Sequence, residues 1–328
     1  MRLVSRTTPT FSVVICAYTD ERWDDLIDAV TSIRTQSLPA REIIVVIDHN
    51  PGLLRRARAS FDDATVLENA GRQGLSGARN SGVAIAGGDV IAFLDDDATA
   101  MPDWLARLAA RYDDPEVLGV GGFIAPRWAI GRPAWFPAEF SWVVGCSYTG
   151  LPLTTAPVRN LIGANMSVRR DVIASVGGFH SEVGQIGASM LRCDDTDFCI
   201  RLRQRWPNRP LLYEPTARVS HHVTAGRSTW RYFSVRCYTE GMAKALLAQM
   251  VGTGDGLSSE RAYTLRILPR GVIRSIAMSL RGDVGGARRA GAIVTGLMLT
   301  TGGYLRSRVT ARFAMKKASD APKGIATR

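Results

Sequence analysis

Val90-Ile91-Ala92-Phe93-Leu94-Asp95-Asp96-Asp97 decides the fold: five apolar residues running straight into three carboxylates. A short unbroken apolar run reads as a strand buried on both faces, and such strands belong to parallel sheets covered by helices. Two upstream runs repeat the pattern, Val13–Ala17 and Ile43–Ile47, the second ended by Asp48. Between them, about Asp20 to Gln36 carries Leu26, Ile27, Val30 and Ile33 at helical spacing, and a second helical pattern over about Ser76 to Ala86 precedes the third run. Strand, helix, strand, helix, strand predicts an α/β fold with a Rossmann-like, mostly parallel central sheet flanked by helices. Ligands of such sheets lie beyond the carboxyl ends of the strands. Asp48 and Asp95–Asp97 stand at such ends.

Working outward, helices are expected over Trp104–Tyr112, Asp171–Val176 and Asp194–Trp206, the last stopped by Pro207. Residues 119–160 are rich in Gly, Pro and Trp with no clear period, and read as an irregular region lining the site. The chain's 328 residues, 46% of them hydrophobic, suffice for one sizeable core and a smaller appendage. Net charge is +11, and it is unevenly placed. From Gly226 onward 18 Lys/Arg face 5 Asp/Glu, whereas the preceding residues hold 23 and 25. A near-neutral domain therefore carries a basic attachment, which predicts an anionic partner surface. The five cysteines show neither a CxxC pair nor zinc spacing, as expected for a reduced cytosolic compartment. Arg2 and Arg6 precede the apolar run Phe11–Ala17, but that run leads into Thr19-Asp20-Glu21 and reads as a strand rather than a signal peptide.

Three adjacent carboxylates repel one another unless a cation sits among them. Asp95–Asp97 is thus either a solvated loop or an oxygen-ligand site for Mg²⁺ or Mn²⁺ bridging nucleotide phosphates. Asp48 fits a uracil imide or a ribose hydroxyl, or simply caps the turn before Pro51-Gly52. The Gly-rich stretch Gly71–Gly82 is neither a GxGxxG fingerprint nor a Walker loop, and its Arg79 has the charge and plane for a phosphate or a base. Asp194-Asp195-Thr196-Asp197 opens a helix, where the dipole favours acids anyway. The cluster also supplies a base for an acceptor hydroxyl. His221 and His222, at the end of a short apolar stretch, offer a further metal ligand.

Taken in order, Val13–Tyr18, Asp48, Gly74–Gly82, Phe93–Asp97, Gly163-Ala164-Asn165-Met166, Asp194-Asp195 with Asp197, and His221 resemble the family 2 glycosyltransferases, inverting enzymes of the A-type glycosyltransferase fold. The resemblance covers roughly residues 11–245. It implies that Ala17, Tyr18, Asp48 and Arg79 surround the nucleoside, joined by Asp95 and Asp96. It makes Asp95 and Asp97 the ends of an Asp-x-Asp motif, with Asp97 the more direct contact to Mn²⁺ or Mg²⁺ and His221 near that metal. Asp195 matches the general base. Its neighbour Asp194 stands where the family usually has Glu, and Asn165, Asp197 and Arg227 are expected on the acceptor side. Processive members carry Gln-x-x-Arg-Trp and several membrane spans; here only Gln204-Arg205-Trp206 occurs, so a single addition is expected. Beyond His221 the run Arg227…Arg236…Glu240-Gly241…Lys244 is similar to a bacterial subgroup acting on lipid-linked acceptors. Arg227 and Arg236 have the charge for a uronate or a lipid phosphate, and the sequence does not choose between them.

The expected organisation is a lead over 1–10, a catalytic domain over 11–250, a basic amphipathic membrane-associating region over 251–315 and a disordered tail over 316–328. Trp230 to about Met250 reads as a helix, followed by a break at Gly252, Gly254 and Gly256. A further helix beginning near Pro269 sets Ile273, Ile276, Ala277 and Leu280 on one face and Arg270, Arg274 and Arg281 on another. Ala290–Leu305 is uncharged but shorter than the ~20 residues a spanning helix needs, and its glycines suggest an interfacial or re-entrant segment. The implied enzyme moves one sugar from a nucleoside-diphosphate sugar, UDP favoured, to a saccharide or polyprenyl-linked acceptor. It would do so in cell-envelope or polysaccharide biosynthesis, peripheral on the cytoplasmic face of the cell membrane. A sugar nucleotidyltransferase would need a phosphate-grasping loop after the first strand, and Ala17–Asp20 offers none. A non-catalytic nucleic-acid binder would leave the acidic clusters idle, and the basic third lacks interleaved aromatics, so no nucleic acid is expected.

Overall fold

The computed structural model describes residues 8–180, 193–250 and 261–319. Among these, one sheet runs in the order β3-β2-β1-β4-β8-β6-β9-β5, with β7 beside β9. The strands are β1 (Phe11–Ala17), β2 (Glu42–Ile47), β3 (Thr65–Glu68), β4 (Val90–Asp95), β5 (Ala98–Ala100), β6 (Gly119–Trp128), β7 (Ala156–Val158), β8 (Asn165–Arg169) and β9 (Leu211–Val223). β1 pairs in parallel with both β2 and β4, in the register Cys16 to Val46 and Cys16 to Asp95. The carboxyl ends of all three therefore open on one edge. Their apolar runs are buried on both faces, which is why they do not alternate. Beyond β4 the sheet becomes mixed: β8 is antiparallel to β4 and to β6, while β6 and β9 are parallel.

Helices α1 (Trp23–Arg34), α2 (Pro51–Ser60) and α3 (Leu75–Ile85) cover the parallel half. No helical pattern announces α2; it is nucleated by local chemistry, with Asn50 Oδ1 accepting from Leu53 N–H at 3.0 Å and Pro51 at the first position. α3 lies directly on β1, because a Cβ at Gly82 would stand 2.6 Å from Val14 Cγ1. α4 (Trp104–Ala109), α5 (Arg170–Ala174) and α6 (Asp194–Arg205) follow, each a little shorter than its sequence pattern.

Two expectations are corrected by the fold. The region 119–160 is not irregular throughout, since it begins with the ten-residue β6. Gly119, Gly121 and Gly122 hide that strand, having no side chains to alternate. They are required there: a Cβ would meet Ser167 O at 2.7 Å from Gly119 and Ala217 O at 1.8 Å from Gly122. The second concerns Ala290–Leu305, expected as a short interfacial or re-entrant segment and found as the middle of a long helix. After α7 (Trp230–Met250), a π-helical turn (Tyr263–Ile267) leads into α8 (Leu268–Leu280), and α9 spans Gly286–Ser319. α9 crosses α7 at backbone contact. A Cβ on Gly241 would lie 1.9 Å from Thr300 O, and one on Gly303 2.0 Å from Tyr238 O. The glycines are thus the crossing point of two helices. No helix among the described residues is long and apolar enough to cross a membrane.

Leu268 of α8 and Ala292 and Ile293 of α9 belong to the same apolar core as Phe136, Phe140 and Phe233. The basic third is therefore packed onto the α/β part and closes one side of its site. α9 also extends through residues 316–319, the start of the expected disordered tail; residues 320–328, the first seven residues and the glycine break at 252–256 lie outside the described residues.

Candidate active site

Strand pairing assembles the acidic edge. β4 ends in Asp95, and two residues later β5 pairs antiparallel with β9, placing Ala98 opposite His221. His222 N–H donates to Asp97 O at 2.7 Å and fixes that register. Strand alternation then turns His221 toward Asp97, Nε2 to Oδ1 3.0 Å, and sends His222 to the other face, where Nδ1 meets Asp25 at 2.7 Å. Only one of the two histidines joins the site. Burial opposes a charge on His221, but the Asp97 carboxylate and its hydrogen bond prevail and push it up to about 10. Gly145, at φ +81, lies against the imidazole, and a Cβ there would come within 3.4 Å of it.

Ligand atoms of Asp95, Asp97 and His221 lie within 4.8 Å of one another. Asp97 Oδ2 is buried and makes no hydrogen bond, its neighbours being Arg22 Nη1 at 3.1 Å and Arg227 Nη1 at 3.4 Å. Two carboxylates and an imidazole, with an unsatisfied carboxylate oxygen, fit a divalent cation such as Mn²⁺ or Mg²⁺. Burial, reinforced by the charge of Asp97, pushes Asp96 up to about 7, although Arg22 donates to its Oδ1 at 2.8 Å. Asp97 is held below the ordinary carboxylate range, burial being outweighed by His221 and the arginines. Nothing local in the sequence ties Arg22 to carboxylates 74 residues away.

A cavity of about 300 Å³ adjoins this edge, lined by Ala17, Tyr18, Arg22, Asp48, Asp95–Asp97, His221 and Arg227. Asp48 borders it, but its oxygens already accept from Asn69 Nδ2 (2.6 Å) and Gly74 N–H (2.9 Å). Arg79 does not line this cavity, contrary to the expected nucleoside contact. It is buried against Gly163, where a Cβ would come within 2.3 Å of Nη2, and it pairs with Asp194 Oδ2 at 3.0 Å and Asp95 Oδ1 at 3.6 Å. Arg79 therefore ties the two acidic clusters together. Arg227, expected on the acceptor side, stands with Asp97 instead.

A second cavity of about 430 Å³ holds Arg79, Asp194 and Asp195 and meets the first at Leu75, Asp95 and Gly145. Asp195, in the first turn of α6, accepts Gly163 N–H on Oδ2 at 3.0 Å and Thr196 N–H on Oδ1 at 2.7 Å. Burial and then the adjacent Asp194 push it up to about 6, against the pull of Arg79 and those two N–H groups. A carboxylate that exchanges its proton near neutrality beside a cavity has the properties of a general base. Asp194 pairs with Arg79 at 3.0 Å and accepts from Ser76 Oγ at 3.3 Å, and its charge is felt by Asp195. Asn165 and Asp197 line neither cavity. Asn165 is wholly buried, accepting from Trp104 Nε1 at 2.8 Å and donating to Ala217 O at 3.0 Å. Asp197, in the same first turn of α6, pairs with Arg201 at 2.8 Å. Both hold the scaffold.

This geometry has relatives. The family model described as Glycosyl transferase family 2 matches residues 12–177. The chain is 34% identical over 240 residues to the Glucosyl-dolichyl phosphate glucuronosyltransferase of Haloferax volcanii, covering 72% of this chain and 76% of that protein. It is 24% identical over 261 residues to the succinoglycan biosynthesis protein ExoM of Rhizobium meliloti, covering 77% and 76%. Among solved structures, mannosyltransferase PcManGT from Pyrobaculum calidifontis, in complex with GDP-Man and Mn²⁺, superposes with a TM-score of 0.57 at 17% identity, over 94% of this chain and 88% of that one. The structural likeness carries the A-type glycosyltransferase fold. By the family match and the conserved span of its relative, the chain belongs to glycosyl transferase family 2.

Proposed function

We propose that this glycosyltransferase moves a single sugar from a nucleoside-diphosphate sugar, UDP favoured, to a hydroxyl of a lipid-linked saccharide, with inversion at the anomeric carbon. The observation that carries the reading is the meeting of two cavities at Asp95, one with the acidic edge and one with the raised carboxylate of Asp195. The first receives the nucleoside diphosphate, its base and ribose toward Ala17, Tyr18 and Asp48. A divalent cation held by Asp95, Asp97 and His221 supplies charge neutralisation for the diphosphate when bound. Arg22 and Arg227 add positive charge on the same side, where the leaving group gains its own negative charge. In the second cavity Asp195 takes the proton of the acceptor hydroxyl as its oxygen bonds to the anomeric carbon and the bond to the diphosphate breaks. Attack from the face opposite the leaving group inverts that carbon, and no sugar is attached to the enzyme at any stage. A lipid-linked acceptor is supported by the name of the 34% identical relative and by the apolar walls of the second cavity.

Calorimetric titration of UDP, GDP and dTDP, with and without Mn²⁺, tests this. Binding of one nucleotide that depends on the metal is expected; a folded protein that binds none of them would refute the reading. The state of Asp195 gives a second expectation. Its pKa is raised, so the protonated form persists to higher pH than usual, and the active carboxylate is lost as pH falls through about 6. Thus kcat/KM rises about tenfold per pH unit below that point and levels above it. A profile flat down to pH 4.5 would remove Asp195 from the role.

The cytoplasmic membrane face is proposed as the place of action. On α8, Ile273, Ile276 and Leu280 form an exposed apolar face, Leu280 being 85% exposed, with Arg270 and Arg281 beside it. Arg274 is partly used otherwise, pairing with buried Glu139 and docking the helix. An apolar face with basic flanks matches an anionic lipid surface. The chain is expected to sediment with phosphatidylglycerol vesicles and not with phosphatidylcholine vesicles. The double variant Ile273→Glu/Leu280→Glu should stay in the supernatant, and unchanged sedimentation would rule this face out.

A further inference from the structure

The second cavity has a feature that the transfer chemistry does not use. Its wall on α7 carries Arg236, Glu240 and Lys244 at successive helical turns. Arg236 is only 6% exposed, and its Nη1, although 3.1 Å from Glu240 Oε2, makes no hydrogen bond. Lys244 Nζ lies 3.4 Å from the other oxygen of the same carboxylate. Arg236 and Lys244 thus both pair with Glu240 on the cavity wall, and it is the unused N–H of Arg236 that stands out. A buried guanidinium with an unused N–H is costly unless something supplies the acceptor. The same cavity has an apolar part to its lining, with Phe140, Trp142, Ile162, Leu268 and Leu297. A neutral sugar has no charge for the first feature, and a uronate, which has one, offers no alkyl surface for the second.

We infer that Arg236, assisted by Lys244, binds the phosphate by which the acceptor is joined to its lipid, while the apolar wall takes the first part of the hydrocarbon. This rests on the transferase reading above and names what the second cavity selects. A phosphate offers several acceptor oxygens to a guanidinium, one of them for the Nη1 that makes no hydrogen bond. Two other arginines line this cavity and a third lies beyond it: Arg79 is engaged by Asp194 and Asp95, Arg159 Nε donates to Asn160 Oδ1 at 3.0 Å, and Arg227 stands at Asp97 on the opposite side of the junction.

The test uses the full chain and three probes below their aggregation limits: farnesyl phosphate, farnesol and inorganic phosphate. Wild-type protein should bind farnesyl phosphate at least tenfold more tightly than either of the others. Arg236→Gln should bring farnesyl phosphate level with farnesol, and Arg236→Lys should recover part of the difference. Metal-dependent nucleotide binding, measured on the same samples, reports whether each variant is folded and whether the donor side is intact. If Arg236→Gln does not fold, Lys244→Gln, at a position on the same wall, should still lower the preference at least threefold. Equal binding of the two lipids by wild type, or a preference that survives Arg236→Gln, overturns the inference while leaving the donor site standing. Inorganic phosphate binding as tightly as the lipid phosphate overturns the role of the apolar wall. Loss of nucleotide binding in wild type would instead defeat the transferase reading itself.

Discussion

Asp195→Asn is expected to lower kcat by roughly 10²- to 10⁴-fold, the range for removing a general base, with nucleotide affinity nearly unchanged. The asparagine fills the same space but cannot take a proton. The change is not electrostatically silent. Both Asp195 oxygens accept backbone N–H groups, from Gly163 and Thr196, and asparagine has one acceptor for the two. The mismatch costs about 1–3 kcal/mol, part of it offset by the lost repulsion from Asp194. A modest fall in Tm with intact nucleotide binding is therefore part of the expected result. Single-turnover rates measured with saturating donor separate chemistry from product release. A variant that keeps more than a tenth of wild-type turnover would show that another group takes the proton.

Asp97→Ala should abolish the metal-dependent part of nucleotide binding, a loss on the order of 10²-fold in affinity, since even groups that merely support a metal ligand are worth 10- to 100-fold. The substitution removes one of three donors and leaves His221, Arg22 and Arg227 without the carboxylate they share. Breaking a buried ion pair from one side typically costs about 3–5 kcal/mol. Asp97→Asn is the control: it keeps an acceptor for His221 while removing the charge, so it should bind metal nearly as poorly yet melt closer to wild type. Calorimetry with and without Mn²⁺, beside thermal denaturation, reads both. Equal nucleotide affinity in Asp97→Ala and wild type at saturating Mn²⁺ would discard the proposed ligand set.

The sequence displayed the parallel half of the fold because β1, β2 and β4 are buried on both faces and so appear as continuous apolar runs. It displayed the acidic edge because those runs stop at carboxylates. What stayed hidden depends on contacts between distant residues. β6 carries no pattern, since its glycines exist to let β8 and β9 approach. Arg79 has the chemistry of a phosphate ligand, and only its burial against Gly163 shows that it bridges Asp95 and Asp194. Asn165 and Asp197 sit within recognisable motifs, yet their side chains point into the scaffold. The glycines of Ala290–Leu305, read one by one, weaken a helix. Read against α7, they are the reason it fits.

Among the described residues, the two cavities share only Leu75, Asp95 and Gly145. Apart from Arg227, everything else around the proposed donor cavity comes from the α/β half, while α7 and α9 contribute much of the wall of the proposed acceptor cavity. On the proposed reading, changes on those helices are expected to redirect which acceptor is glycosylated without disturbing donor recognition. For the engineer, the two helices are an interchangeable cartridge, provided that Gly241 and Gly303 travel with them.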